Sequence, residues 1–286
     1  MTGIIDSGTI GRAVVVLGAT GAAGRGVVQA LVEAGRPLVA VAEDADALRA
    51  LADAHPGAAL ATLPARIASD ADAAALAARL RTFDVAVDGV VAGLAGTHAC
   101  GRLIDEPAEV LQRTLDEDLL PHLFAARHLF PLLPPDAAGY VLVGGPGGTY
   151  PWAGYGHCSI AAAALRMMAR VLHDEAARHG LRVQLLSLDA PLHAAATPGA
   201  PASPQALSLG RRVLALLADA RQGVAPAVVD YATDGAPRRM PSSRRVRHRQ
   251  VAGSAVLPAR DLRAARALLD SIASPTPPGS FHDEHC

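Results

Sequence analysis

The chain has 286 residues, a formal net charge of -1 and a composition that is 51% hydrophobic but only 3% aromatic. This balance gives no reason to expect nucleic acid or an anionic membrane as a partner, and the length allows one large α/β domain with an extension. Three widely separated cysteines, Cys100, Cys158 and Cys286, do not indicate a disulfide framework. No apolar run reaches the ~18 residues of a membrane helix and no signal peptide is recognised, so a cytoplasmic location is expected.

The first half of the chain alternates short apolar runs with helical patterns. Residues 14–17 are apolar and mainly β-branched, which predicts a strand buried on both faces, and a glycine-rich loop at 18–24 follows directly. The next helix is stopped by Gly35. Further strands are predicted at 38–42, near 60–63 and at 85–92, with helices around Leu48 and at about 70–80 between them.

The second half continues this alternation to about residue 235. The predicted elements are a long helix at about 107–129 kinked at Pro121, a strand at 140–143, a long helix at 155–179, a strand at 183–188, a helix at 207–218 and a strand at 227–231. This order predicts a Rossmann-type α/β fold for residues 1–235, a doubly wound parallel sheet of about seven strands with helices on both faces.

Residues 236–286 are predicted to form a C-terminal extension. It contains an arginine-rich segment at 238–249, an amphipathic helix at about 257–272 and a Pro-rich tail. The arginine-rich segment lacks interleaved aromatic residues, which favours a solvated loop or strand over a nucleic-acid site. Residues 282–286 are of types that bind metals but lack a regular ligand spacing, so no metal site is predicted.

Gly18, Gly21 and Gly24 carry the clearest functional signal. Between a strand and a helix, such glycines permit a tight turn and a close approach of the backbone to a pyrophosphate at the helix N-terminus. A tight turn without a ligand is the alternative. With this loop and the elements after it, the chain resembles the short-chain dehydrogenase/reductase superfamily over about residues 12–235. The glycine spacing is that of its extended and atypical branches, including NmrA-like proteins, whereas the element order is that of the shorter reductases.

The resemblance implies that residues 1–235 bind a nicotinamide dinucleotide, NAD or NADP, beside the substrate pocket. Glu43, which ends the second strand, would repel a 2′-phosphate and accept a hydrogen bond from a ribose hydroxyl. Arg25 would attract that phosphate unless it faces the pyrophosphate, so we expect a slight preference for NAD. The implied cofactor-binding residues are Gly18, Thr20, Gly21, Ala23, Gly24, Arg25, Glu43, Arg66, Ile67, Ala92, Gly93, Pro191 and His193.

The catalytic residues of the family are Asn, Ser, Tyr and Lys, and this chain contains neither lysine nor asparagine. Tyr155 stands at the position of the tyrosine, Ser159 at that of the lysine and Asp118 at that of the asparagine, while the serine position falls in glycine-rich residues 144–148. Without a neighbouring cation, Tyr155 should keep its proton below a pKa of ~10 and serve reduction better than oxidation. We predict Tyr155 as the proton donor, with His193 and Asp118 as further catalytic candidates.

Other side chains near the predicted site allow more than one interpretation. Asp118 and His122 stand four residues apart in a predicted helix and would form either an acid/base pair or a surface ion pair. His157 is predicted to face solvent, and His98 either lies in an exposed loop or supplies a proton. Trp152 either stacks on a flat ligand or closes its loop over the core.

Three classes of function remain consistent with these residues. The favoured one is an atypical NAD(P)H-dependent reductase of a carbonyl-type small molecule, with room beside residues 144–148 for a polycyclic or specialised metabolite. The alternatives are a non-redox enzyme (cyclase, dehydratase or isomerase) and a catalytically silent dinucleotide-binding sensor. Because the helices at 107–129 and 155–179 match those that this family often pairs across a two-fold axis, a homodimer or homotetramer is expected, with no nucleic-acid or membrane partner.

Overall fold

The computed structural model describes residues 11–83, 86–134, 139–192, 200–218 and 225–233. These residues contain one seven-stranded sheet in which every strand pair is parallel, in the order β3-β2-β1-β4-β5-β6-β7. The predicted Rossmann-type doubly wound fold is therefore confirmed. The strands are β1 (Arg12–Leu17), β2 (Leu38–Ala42), β3 (Leu60–Pro64), β4 (Ala86–Ala92), β5 (Gly139–Gly144), β6 (Val183–Leu188) and β7 (Val228–Tyr231).

Helices cover both faces of the sheet. They are α1 (Ala22–Glu33), α2 (Ala45–Asp53), α3 (Asp70–Thr82), α4 (Ala108–Asp118), α5 (Leu120–Leu129), α6 (Gly156–Ala177) and α7 (Pro204–Ala218). Val16 packs with Leu31 in the core under α1, α2 and α7, while Leu17 packs with Leu76 in the core under α3, α5 and α6. Alternate residues of β1 thus enter opposite cores, which explains why this strand is apolar almost throughout.

Helix α1, which begins at the glycine loop, is fixed against α7 by direct backbone contact. A β-carbon at Gly26 would overlap the backbone of Ala206, and one at Gly210 would overlap the carbonyl of Gly26. The facing glycines let the helices approach more closely than side chains would allow. This contact was not predicted, because neither glycine is distinctive within its own helix.

The long helix predicted at 107–129 is two helices, and the predicted kink at Pro121 is wrong in position. The break falls at Leu119 (φ -117°, ψ -59°), and Pro121 lies in the first turn of α5. A proline ring clashes with the carbonyl four residues earlier, so the preceding helix must end before it, whereas a first turn tolerates proline. The break leaves Asp118 at the end of α4, beside the loop that follows β4.

Some predictions lie outside the described residues. These are the role of His193, the arginine-rich segment at 238–249, the helix at about 257–272 and the tail. Within the described ranges, no helix is both long enough and apolar enough to cross a bilayer.

Candidate active site

A crevice with a volume of about 420 Å³ runs along the carboxyl edge of the sheet. It includes the region where the strand order reverses between β1 and β4, which is where doubly wound sheets bind their ligands. One end lies at the N-terminus of α1, and the other reaches Trp152 and the first turns of α6. The polar side chains among its described lining residues belong to Thr97, His98, Asp118, Trp152 and Cys158.

A larger depression of about 670 Å³ lies between α5 and the C-terminal half of α6. Its walls are mainly apolar, with Leu123, Phe130 and Leu172 among them, and residues of the glycine loop do not contribute to it. We place the candidate site in the smaller crevice, because that crevice joins the glycine loop to convergent polar groups.

The loop from β1 to α1 is held in shape by its glycines. Gly18 has a left-handed backbone (φ 71°), and a β-carbon there would overlap the carbonyl of Gly93 after β4. A β-carbon at Gly24 would overlap the carbonyl of Gly18. Helix α1 starts at the N-cap Gly21 without a side-chain cap, and residues 21–23 line the crevice. First-turn N–H groups that no side chain covers suit the pyrophosphate of a dinucleotide.

Two charged residues follow β2 and β3, where the adenosine ribose is predicted to lie. Nε of Arg66 is 3.9 Å from Oε2 of Glu43, and these side chains are 67% and 70% exposed. Arg25 turns back toward its own loop, and its Nε donates a hydrogen bond to the carbonyl of Thr20 at 2.9 Å. Charges of opposite sign therefore lie close together after β2 and β3, although neither Glu43 nor Arg66 is among the described residues that line the crevice.

The remaining predicted cofactor residues fall into two groups. Gly93 and Pro191 line the crevice. Ala92 and Ile67 are buried in the core on the α3 face, so they support the loops after β4 and β3 from below.

Asp118 joins the end of α4 to the loop after β4. Its carboxylate accepts a hydrogen bond from the N–H of Gly96 at 2.7 Å, and both of its oxygens lie 2.9 Å from Nε2 of His98. The side chains of His98 and Asp118 are only 8% and 17% exposed, and both line the crevice. With Nε2–H donated to Asp118, Nδ1 is the other ring atom able to make a contact, and it lies 4.0 Å from Oε2 of Glu117. Because 20 residues separate the two along the chain, sequence reasoning missed this pair.

The predicted pairing of Asp118 with His122 is wrong. The helix breaks between them, Asp118 binds His98, and Nε2 of His122 donates a hydrogen bond to the carbonyl of Leu94 at 2.9 Å. His122 is fully buried, so it is not part of a surface ion pair. Burial lowers its pKa to about 4, and the ring is neutral at pH 7.

We expect His122 to make the fold less stable in mild acid. The unfolded chain binds a proton at this residue below a pKa of ~6.5, whereas the folded chain does so only below about 4. The free energy of unfolding should therefore fall as the pH drops through this window, by about 3 kcal/mol in total. His122→Gln keeps a donor for Leu94 but cannot titrate, so urea unfolding should lose this part of its pH dependence. Identical pH dependence in both proteins would contradict the assignment.

His157 and Cys158 lie in the first turn of α6, next to this loop. His157 is 1% exposed, so the prediction that it faces solvent is wrong. Its ring packs edge-on against that of His98, with centroids 5.7 Å apart, and its centroid lies 6.3 Å from that of Tyr155. Cys158 is partly buried and lines the crevice together with Ala162, one turn further along α6. Burial, with a contribution from Asp118, raises the pKa of Cys158 to about 11.

Tyr155 directly precedes α6 but is not among the described residues that line the crevice. Its ring stacks on that of Trp152, with centroids 4.2 Å apart and planes inclined by 23°. Ser159 stabilises the turn at 152–155, because its hydroxyl accepts a hydrogen bond from the N–H of Trp152 and donates one to the carbonyl of Tyr155. Residues 144–146, at the family's serine position, form a wall without a hydroxyl group. The role of Tyr155 as a proton donor stays a prediction.

Comparison with known proteins agrees with this geometry. The family model described as enoyl-(acyl carrier protein) reductase matches residues 18–234, which is most of the chain. The chain belongs to the short-chain dehydrogenase/reductase superfamily. The resemblance inferred from the glycine loop is thereby confirmed, and the general class is that of NAD(P)-dependent oxidoreductases. A search of curated protein sequences finds no match.

Solved structures of this superfamily share the fold at low sequence identity. An NADPH-bound short-chain oxidoreductase from Pseudomonas aeruginosa PAO1, which contains an atypical catalytic centre, is 19% identical with a TM-score of 0.66, and the match covers 79% of this chain and 96% of that one. Bacillus cereus enoyl-acyl carrier protein reductase, solved with NADP+ and indole naphthyridinone, is 17% identical with a TM-score of 0.67, and the match covers 78% of this chain and 94% of that one. An oxidoreductase of the short-chain dehydrogenase/reductase family from Burkholderia thailandensis is 23% identical with a TM-score of 0.64, and the match covers 78% of this chain and 91% of that one.

Proposed function

We propose that the chain is an NAD(P)H-dependent reductase of a carbonyl-type small molecule, with cofactor and substrate bound in the same crevice. The observation that supports this most is the continuity of the crevice from the uncapped start of α1 to the His98–Asp118 pair. The uncapped start of α1 suits an anionic pyrophosphate. The His98–Asp118 pair suits the oxygen of a carbonyl, where negative charge develops during reduction.

The cofactor would be held mainly by the backbone. Residues 21–23 would contact the pyrophosphate, Glu43 and Arg66 would flank the adenosine ribose, and Gly93 with Pro191 would border the nicotinamide half. When bound, the reduced cofactor supplies a hydride to the carbonyl carbon. The carbonyl oxygen then takes one proton, so the products are an alcohol and the oxidised nucleotide. The protein has to stabilise that oxygen and let a proton reach it.

His98 is the side chain placed to act on the substrate oxygen. Its ring is nearly buried and is fixed by Asp118 through Nε2–H. In the imidazolium form, Nδ1–H would stabilise a developing alkoxide without reorganisation and supply its proton. Tyr155, in contrast, stacks on Trp152 outside the described lining of the crevice. We therefore favour His98 over Tyr155 for this contact.

The walls near His98 favour a flat and largely apolar substrate. Trp152, Leu188 and Leu192 supply apolar surface, and residues 144–146 add little side-chain bulk. A carbonyl on a polycyclic skeleton fits such walls better than a highly charged metabolite does.

Changing Glu43 to Gln should raise the affinity for NADPH relative to NADH by ~10-fold. A carboxylate a few ångströms from a 2′-phosphate weakens binding by about 1 kcal/mol even in water. The exposed carboxylate of Glu43 would repel the 2′-phosphate of NADPH in this way if the adenosine ribose binds beside it. Gln keeps the size and the hydrogen-bonding capacity of the side chain. Titration of both nucleotides against both proteins measures the ratio, and an unchanged ratio would mean that the ribose lies elsewhere.

Nucleotide consumption tests the proposed reaction. With a panel of flat ketones and quinones, the full chain should form one reduced product for each two-electron oxidation of NADH or NADPH. Conversion of a substrate without net nucleotide consumption would instead indicate a non-redox enzyme. A silent sensor is the second candidate, because no tyrosine or lysine lines the described part of the crevice; it would bind nucleotide and turn over nothing.

We also propose that the chain forms a homo-oligomer through α6. Ile160, Met167 and Val171 lie along one stripe of this helix and are 40%, 56% and 47% exposed, and Leu123 on α5 is 41% exposed. A stripe of this kind on paired helices suits a two-fold interface.

Met167→Asp should therefore shift the chain to monomers. An unpaired carboxylate buried at an interface costs roughly 3 kcal/mol, which is more than 100-fold in the dissociation constant. Sedimentation equilibrium at micromolar concentration measures the mass. Ala78→Asp, on the exposed side of α3, is the control and should leave the mass unchanged. A monomeric unmodified chain would contradict the proposal.

A further inference from the structure

Three side chains of metal-binding type meet at the wall of the crevice. His98 comes from the loop after β4, and His157 and Cys158 come from the first turn of α6. One ligand atom from each residue lies within 4.8 Å of those of the other two. Their distant positions in the sequence hid this cluster, because 98 and 157–158 do not form a regular ligand spacing.

His157 is the side chain that points to a ligand. It is 1% exposed, and neither of its ring nitrogens has a hydrogen-bond partner in the structure. Leaving a buried polar group unpaired costs about 1–3 kcal/mol, so such a ring is seldom kept for packing alone. Its neighbours include the imidazole of His98, the thiol of Cys158 and the ring of Tyr155, and none of them forms a hydrogen bond to it.

We propose that His98, His157 and Cys158 bind a zinc ion whose fourth coordination position opens into the crevice. Two imidazoles and a thiolate form a donor set that zinc prefers, and three protein ligands with one open position are the pattern of catalytic zinc. With Zn–N and Zn–S distances of ~2.1 and ~2.3 Å, the ligand atoms of a tetrahedral site lie ~3.5 Å apart. The three ligand atoms here lie within 4.8 Å of one another, so the distances between them must shorten by about 1 Å at most. The thiol of Cys158 releases its proton to water when the metal binds.

Asp118 already has the position of an outer partner for this site. It holds Nε2 of His98, so the metal would bind Nδ1, which lies 4.0 Å from Oε2 of Glu117. A carboxylate behind a ligating histidine fixes the ring and raises its basicity. His98 and Cys158 line the crevice whereas His157 lies behind them, so a metal among the three borders the substrate space. This inference deepens the proposed function and rests on it for its role. The ion would polarise the carbonyl oxygen as a Lewis acid while His98 holds the ion, and the alkoxide would then take its proton from water.

Cobalt substitution of the full chain tests the site without nucleotide or substrate. After chelation and dialysis, one equivalent of Co²⁺ should give the intense visible absorption of a tetrahedral ion and a thiolate-to-cobalt charge-transfer band in the near ultraviolet. Cys158→Ser should abolish that band, and both Cys158→Ser and His157→Gln should weaken Zn²⁺ binding at least ~100-fold. Asp118→Asn should weaken it by ~10–100-fold, the usual scale for an outer partner.

Two control variants exclude other ligands in the chain. Cys100→Ser removes an exposed thiol, and His282→Ala/His285→Ala/Cys286→Ser removes the two histidines and the cysteine at 282–286. Both variants should keep the spectrum and the affinity. Circular dichroism checks each variant, and Cys158→Ser carries the test if His157→Gln does not fold. A weak octahedral spectrum, or a charge-transfer band that survives Cys158→Ser, would overturn the proposal. If metal binding fails while the chain still oxidises NADPH with a carbonyl substrate, the metal proposal falls and the reductase proposal stands. If the metal binds but neither nucleotide does, the reductase proposal falls and the metal site remains.

Discussion

Replacing Gly21 with aspartate should weaken NADH and NADPH binding about 100-fold while the fold stays at least as stable. Gly21 is the N-cap of α1 in an extended backbone (φ -71°, ψ 169°), a conformation that aspartate adopts as a helix cap. Asp44 does so at the start of α2, where it accepts from the N–H groups of Asp46 and Ala47. At position 21 the carboxylate would stabilise α1 by roughly a few tenths of a kcal/mol relative to glycine but occupy the N–H groups that the pyrophosphate needs, at a cost of ~2.7 kcal/mol in binding.

Calorimetric titration and thermal unfolding measure these opposite effects in the same protein. A β-carbon at Gly21 would lie 3.3 Å from the carbonyl oxygen of Gly18, a contact that the loop has to relieve by a few tenths of an ångström in any variant. Gly21→Asn is the matched control, because it adds the same bulk without the charge, and it should lose only ~10-fold in affinity. Equal nucleotide affinity in Gly21→Asp and the unmodified chain would mean that the pyrophosphate does not bind at the start of α1.

Replacing His98 with Gln should lower kcat/KM for carbonyl reduction by ~10²–10⁴, whereas Tyr155→Phe should cost less than ~10-fold. His98 lines the crevice and is fixed by Asp118, and Gln keeps a donor for that carboxylate while removing the imidazole. The expected loss is that of a positioned acid or electrophile. Tyr155→Phe removes only a hydroxyl from a ring that stacks on Trp152, and the stacking itself is retained.

Steady-state rates and nucleotide dissociation constants for both variants separate catalysis from binding. Nucleotide affinity should stay within about twofold in each, because neither residue is placed at the pyrophosphate or the adenosine ribose. The opposite pattern, a large loss in Tyr155→Phe and a small one in His98→Gln, would assign the proton donor to the phenol as the sequence alone predicted.

The fold was predictable because its determinants are local in the sequence. An apolar run such as 14–17 specifies a strand buried on both faces, and the glycines after it specify the turn into α1, whatever the rest of the chain does. The error at Pro121 arose because a proline shows that a helix is interrupted but not which residue takes the non-helical backbone. Steric clash with the preceding turn places that break at Leu119.

The polar part of the candidate site was less predictable, because contacts between distant segments form it. Nothing in the sequence near His98 shows that Asp118 fixes its ring, or that His157 is buried against it. Helical periodicity predicted that His157 points away from Tyr155, which was wrong: Tyr155 precedes the helix with a non-helical backbone, and the two ring centroids lie 6.3 Å apart. Periodicity also did not show which side of α6 faces the crevice. That choice depends on how α6 packs beneath the loop after β4, a long-range effect that local patterns do not encode.

Equilibrium titration of the unmodified full chain with NADH and with NADPH, followed by nicotinamide fluorescence, tests the central claim most directly. The crevice at the start of α1 predicts saturable binding of at least one of them, with one nucleotide per chain and a micromolar dissociation constant. Absence of saturable binding of both nucleotides up to millimolar concentration would contradict it.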